Sequence, residues 1–185
     1  MNLELEVKAK CPDLGKIKKQ LKKIGAKFIA KKHQVDTYFL ISPKYYCKTG
    51  PRMRIREDKS SGLAWWEYHE PIDGLRAKEN EIAIDDPRLA KWILTKLGYQ
   101  VEAVIDKVRE KYKFGELNID LDQVKGWGNF VEVEIMNNGS RSAEKKIFDF
   151  LARIGIAEKN LIPEVRYLDM VWGKLKKNKK VKNHR

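Results

Sequence analysis

The sequence predicts an α+β fold in which eight mainly antiparallel strands close into a β-barrel with helices packed outside. Three observations carry this prediction. Charged and apolar residues alternate with a period of two in segment after segment, which puts each set on its own face of a strand. Between some of these segments lie stretches with apolar residues at helical spacing, each ending at a glycine. Short turn signals separate most of the remaining strands at hairpin distances.

The first strand, residues 2–10, holds Glu4-Leu5-Glu6-Val7-Lys8, so two carboxylates and an ammonium share one face. Asp13 then caps a helix with the stripe Leu14, Ile17, Leu21 and Ile24, which stops at Gly25. Strand 34–41 follows, and strand 51–57 carries Arg52-Met53-Arg54-Ile55-Arg56, with three guanidinium groups on one side. Lys59-Ser60-Ser61-Gly62 turns the chain into strand 63–70, which leads on to strand 78–85. Asp86-Pro87 opens a second helix with Leu89, Ile93, Leu94 and Leu97 ahead of Gly98. Lys107-Val108-Arg109-Glu110-Lys111 lies in strand 104–113, and Phe114-Gly115 turns it into strand 115–122. There Asn118-Ile119-Asp120-Leu121-Asp122 presents an acidic face. Lys125-Gly126-Trp127-Gly128-Asn129 leads to strand 130–136, where Glu132-Val133-Glu134-Ile135 supplies another carboxylate pair. A third helix begins near Ser142, carries Ile147, Phe148, Leu151 and Ile154 and stops at Gly155; a fourth runs from about Glu164 to Leu175.

Leu3, Leu5, Val7, Met53, Ile55, Val131, Val133 and Ile135 would give the helices an apolar surface outside a barrel, leaving the charged alternates inside. A charged interior is ruinous as a packed core and requires water and ligand. Periodicity alone also fits, and by frequency favours, an ordinary open sheet whose charged face meets solvent.

Composition sets the class. A chain of 185 residues that is 42% hydrophobic fits one globular domain, here residues 1–174, followed by a basic tail, residues 175–185, with no helical or strand period. No apolar run reaches membrane length, and Met1-Asn2-Leu3-Glu4 lacks the features of a signal peptide, so the expected location is the cytoplasm and no membrane partner is expected. Cys11 and Cys47 have neither metal-ligand spacing nor the density of a disulfide scaffold. A net charge of +13 implies an anionic partner. Specific nucleic-acid binding would need aromatic platforms among the bases; Trp65 and Trp66 are candidates, but neighbours on a strand face opposite ways.

Five blocks in order resemble the CYTH family, the triphosphate tunnel metalloenzymes that include class IV adenylyl cyclases and thiamine triphosphatases. Glu4, Glu6 and Lys8 match its E-x-E-x-K signature, and Gln34-Val35-Asp36-Thr37-Tyr38-Phe39 is similar to its second-strand segment. Arg52 to Arg56 resembles its paired-arginine strand, and Asp106 to Tyr112 its K-x-R strand. Leu121 to Glu134 is similar to L-D-x-V-x-x-L-G-x-F-x-E-x-E along its length. The resemblance implies a closed eight-stranded tunnel that holds the triphosphate and a divalent metal inside.

The implied roles divide by charge. Glu4, Glu6, Glu132 and Glu134, supported by Asp122, would hold Mg2+ or Mn2+, since hard cations prefer carboxylate oxygens. Lys8, Arg52, Arg54, Arg56, Lys107 and Arg109 would clamp the triphosphate of ATP, thiamine triphosphate or inorganic triphosphate. His69 stands where members commonly carry a lysine, as a weaker phosphate contact. The histidine-phenylalanine pair that several cyclases carry before E-x-E-x-K is absent, so a metal-dependent triphosphatase leads, with adenylyl cyclase as the alternative and a non-catalytic polyphosphate or nucleotide binder as the second. The motifs leave the oligomeric state open, a homodimer included.

Overall fold

Period-two alternation becomes a closed surface in the computed structural model, which describes residues 2–40, 51–73, 75–136 and 141–162 together with Tyr167 and Met170. The strands are β1 (Asn2–Lys10), β2 (Lys27–Leu40), β3 (Arg52–Asp58), β4 (Ala64–Pro71), β5 (Arg76–Ala83), β6 (Gln100–Phe114), β7 (Leu117–Val124) and β8 (Gly128–Met136). They pair in the order β1-β5-β4-β3-β2-β6-β7-β8, every ladder antiparallel. Because β1 pairs with both β5 and β8, the sheet has no edge and the open-sheet arrangement is excluded.

Two strands begin four or more residues earlier than alternation indicates. β2 and β6 pair from Lys27 opposite Lys113 to Leu40 opposite Gln100, through two register shifts. Lys27-Phe28-Ile29-Ala30-Lys31 carries no period of two, and Phe28 and Ile29 stay exposed, so pairing with β6 rather than burial makes this stretch a strand.

Helices α1 (Leu14–Lys23), α2 (Pro87–Lys96) and α3 (Arg141–Arg153) lie outside the barrel. Asp13 accepts from the Lys16 amide, and Asp86 accepts from the Arg88 and Leu89 amides, so both predicted caps are present. Gly25 and Gly98 stop α1 and α2 at φ of +81° and +91°, a conformation that strains residues with a Cβ. Leu5, Val7, Val131, Val133 and Ile135 meet Ile17 and Leu21 of α1, Ile147 and Leu151 of α3, and Ile154 just past its end, in the largest apolar cluster. α2 contributes less than its stripe promises: Leu94 packs on Phe39, Met53 and Ile55, while Leu89, Ile93 and Leu97 remain exposed. The expected fourth helix falls almost wholly outside the described residues, of which Tyr167 and Met170 have helical backbone. Among the described residues no helix is long and apolar enough to cross a membrane.

Candidate active site

Since the apolar alternates face the helices, the barrel interior receives the charged ones, and they collect into two ionic clusters. The first joins β1, β6, β7 and β8. Arg109 Nε donates to Asp122 Oδ1 at 2.7 Å, its Nη1 stands 2.6 Å from Asp120 Oδ2, and its Nη2 reaches Glu132. Lys8 Nζ lies 3.0 Å from Glu132 Oε1 and 3.1 Å from Glu6 Oε1. The second cluster joins β2, β3, β4 and β5. Arg56 forks onto Asp36 at 2.7 and 2.9 Å, and Arg54 Nε donates to Glu67 Oε2 at 2.7 Å while its Nη1 donates to the Tyr38 hydroxyl. His69 puts its ring nitrogens 3.0 Å from Glu67 and 2.7 Å from Glu79. Lys107 spans the two clusters, 3.6 Å from Asp36 and 3.7 Å from Asp122.

Burial alone would neutralise these groups; mutual attraction keeps them charged. Burial pushes the Asp36 carboxyl up, yet Arg56, Arg54 and Lys107 hold it well below the usual range. Glu132 is likewise held low against burial by Arg109, Lys8 and Lys107. Lys107 shows the opposite balance: burial and the adjacent Arg109 lower it in spite of Asp122 and Asp36. An ammonium lowered among acids is poised to gain from a further anion.

One end of the interior is apolar. Tyr38, Ala103, Ile105, Val124, Phe130 and Tyr167 pack together there, with Trp127, Ile162 and Met170 against them. The Tyr167 hydroxyl donates to Asp122 Oδ2 at 2.7 Å, its ring meets Phe130 edge-on, and Lys8 Nζ sits 4.2 Å from the ring centroid. Toward the other end of the interior stand Lys32, Asp58, Trp65 and Lys111, with Lys32 Nζ 3.4 Å from Asp58 Oδ2.

This architecture has relatives. The CYTH domain profile matches residues 2–165. The chain belongs to the CYTH family. A Methanocaldococcus jannaschii protein with a provisional adenylate cyclase name is 33% identical over 174 residues, 91% of this chain and 98% of its own. The adenylate cyclase CyaB of Aeromonas hydrophila is 27% identical over 130 residues, 68% of this chain and 66% of its own. The PH1012 protein of Pyrococcus horikoshii has the same fold, with a TM-score of 0.82 at 27% identity and coverage of 90% of this chain and 98% of that one.

In this CYTH barrel the structure brings Glu6, Lys8, Arg54, Arg56, His69, Lys107, Arg109, Asp122 and Glu132 together inside, as their alternation anticipates. Arg52 is buried at the first residue of β3, opposite His69 in register. Glu134 faces Glu6 in register and accepts from Asn118 Nδ2 at 2.9 Å. The side chain of Glu4 lies outside the described residues. Sequence reasoning gave no role to Asp36, Glu67 or Tyr167. The first two stand at inward alternates of β2 and β4, a signal that parity carries; nothing local marks Tyr167.

Whether a hard divalent cation fits can be tested on Asp120. Both of its carboxylate oxygens are buried without a hydrogen bond, because the close Arg109 nitrogen is not aligned to donate. Asp120 faces Glu132 in register, one pair removed from Glu134, and these oxygen donors are of the type Mg2+ and Mn2+ take. Among the described residues no three acids stand ready around one ion, since Arg109 and Lys8 occupy the space between them. The donor set fits the metal once those cations are drawn aside.

The Asp120 carboxyl is raised to about 6, because burial, with Glu132 and Glu134, outweighs the pull of Arg109 and Lys111. A proton on Asp120 competes with a bound cation. Mn2+ affinity should therefore rise about tenfold per pH unit below a pH of about 6 and level off above it. Mn2+ titration followed by electron paramagnetic resonance checks this, and Asp120→Asn should flatten the profile; a flat wild-type profile removes Asp120 from the metal site.

Proposed function

We propose that this CYTH chain binds a triphosphate-bearing small molecule inside the barrel and hydrolyses it with Mg2+ or Mn2+. One observation supports this above others: the buried Lys8, Lys107 and Arg109 and the partly buried Arg54 and Arg56 converge inside a closed barrel, beside carboxylates that a metal can take over. Such an array is a poor way to stabilise a fold, since well-packed apolar residues do as well without the desolvation cost. It is a good way to receive a polyanion. The guanidinium groups exchange carboxylate partners for phosphate oxygens of matching fork geometry, and Lys8 and Lys107 add point charges.

Phosphoryl transfer demands positioning and stabilisation of charge that grows on the phosphate oxygens. A bound divalent ion supplies a Lewis acid and lowers the pKa of bound water. The chain's own residues do the rest. With one end filled by Tyr167 and Phe130, the terminal phosphate leads from the other end and comes to rest beside Lys8, Lys107 and Arg109. Glu132 and Asp120 then flank the terminal phosphorus rather than the α-phosphorus, the placement hydrolysis requires.

A second reading is cyclisation, in which the ribose 3′-hydroxyl attacks the α-phosphorus and pyrophosphate leaves; the names of the two curated relatives favour it. Simple binding without turnover is the least supported, because Glu132 and Asp120 facing the ligand would only repel it. Incubation with Mg2+ or Mn2+ and, separately, ATP, thiamine triphosphate and inorganic triphosphate distinguishes these. Orthophosphate release is the expected result; cyclic AMP with pyrophosphate establishes the cyclase, and tight binding without products overturns both.

A further inference from the structure

The adjacent tryptophans of β4 have separate fates. Trp66 faces outward and packs on the Phe39, Met53, Ile55 and Leu94 cluster under α2. Trp65 lies on the opposite face, with Glu67 and His69, and so points into the barrel. It belongs to none of the apolar clusters, which lie outside the barrel or fill its far end. Arg56 pairs with it in register, and Lys32 Nζ sits 5.7 Å from the ring centroid and 3.4 Å from Asp58 Oδ2. An indole contributes little to a phosphate clamp, yet here one stands half-buried beside Arg56 of the paired strand β3.

Gln34 is the second observation. It pairs in register with Asp58 on one side and Lys107 on the other, one inward pair from Asp36, whose partner Arg56 is in turn paired with Trp65. The residue is 5% exposed, and Oε1 meets no donor. A buried amide oxygen without a donor is costly, and it discriminates strongly when a ligand supplies the missing N–H.

We propose that Trp65 and Gln34 form a subsite for the organic group of the triphosphate, a flat aromatic heterocycle carrying an amino substituent. The ring stacks on the Trp65 indole, and the amino N–H donates to Gln34 Oε1. The inference rests on the triphosphate reading above and adds to it: the substrate is an organic triphosphate whose base trails toward the open end, not inorganic triphosphate. An aminopurine nucleotide and an aminopyrimidine such as thiamine triphosphate share this chemistry.

Calorimetric binding of ATP, inosine triphosphate, thiamine triphosphate and inorganic tripolyphosphate to the full chain, with Trp65→Ala, Trp65→Phe and Gln34→Leu alongside, tests it. Wild type should prefer ATP or thiamine triphosphate to tripolyphosphate, and which of the two wins identifies the heterocycle. Trp65→Ala should weaken that ligand by about tenfold or more, Trp65→Phe should restore most of the loss, and tripolyphosphate affinity should not move. Gln34→Leu should erase the preference for ATP over inosine triphosphate, which lacks the amino group, or weaken thiamine triphosphate alone. Equal weakening of tripolyphosphate by Trp65→Ala, or no weakening of any ligand, overturns the subsite. Wild type that binds tripolyphosphate but no organic triphosphate overturns the subsite and leaves the triphosphate reading standing; wild type that binds none of them overturns both.

Discussion

Arg109→Ala should weaken substrate binding or turnover by about 2–5 kcal/mol, the range for loss of a buried charge-assisted contact. It should also destabilise the ligand-free protein. Arg109 reaches Asp120, Asp122 and Glu132 at once; without it Asp120 loses its close cation, while Glu132 keeps Lys8 and Asp122 keeps Lys107 and the Tyr167 hydroxyl. Breaking a buried ion pair by deleting one partner typically costs about 3–5 kcal/mol. The same change opens the space a divalent ion would use. Mn2+ should therefore raise the melting temperature of Arg109→Ala more than that of wild type, because the ion replaces a missing charge instead of competing with one that is present. Thermal unfolding with and without Mn2+ reads this directly. If Mn2+ stabilises both proteins equally, the ion binds elsewhere and Arg109 does not guard its site. Arg109→Lys should recover part of the stability and little of the activity, since an ammonium keeps the charge but not the fork.

How far residues announce their partners differs sharply within this cluster. Arg109, Asp122 and Glu132 were legible because alternation along a single strand reports which face a side chain takes, and the resemblance to CYTH tunnels says what that face does. Their mutual contacts were not. Those depend on register across strands, and no short-range pattern states that Lys107 pairs opposite Val124 or that Asp120 meets Glu132. Asp36 shows the gap well: its position inside a matched segment was visible, whereas its grip on Arg56 follows only from β2 pairing with β3. Barrel closure is equally non-local, because it consists of β1 finding β8 across most of the chain. Tyr167 is the extreme case, a residue 45 positions beyond Asp122 that closes the interior from a segment with no alternating signal. α2 fails for a different reason. Its apolar residues cover more of the helix than the barrel can use, so spacing could not choose among Leu89, Ile93, Leu94 and Leu97.

Glu132→Gln isolates the metal from the phosphate clamp, since it keeps the shape of the side chain while removing its charge. Partners one step out from a metal ligand are worth about 10–100-fold, so turnover should fall by about a hundredfold or more if Glu132 is itself a ligand. Folding should survive. Lys8 keeps Glu6, and Arg109 keeps Asp120 and Asp122, so neither cation is stranded. Triphosphate binding in the absence of metal should hold or strengthen, because Lys8 and Arg109 lose a competitor for their N–H groups. The divergence of the two readouts is what matters: turnover down, metal-free affinity level or up. Unchanged turnover would take Glu132 out of the metal site, and parallel loss of turnover and metal-free binding would mean that its role is to hold Lys8 and Arg109 in place for the phosphates rather than to ligate the ion.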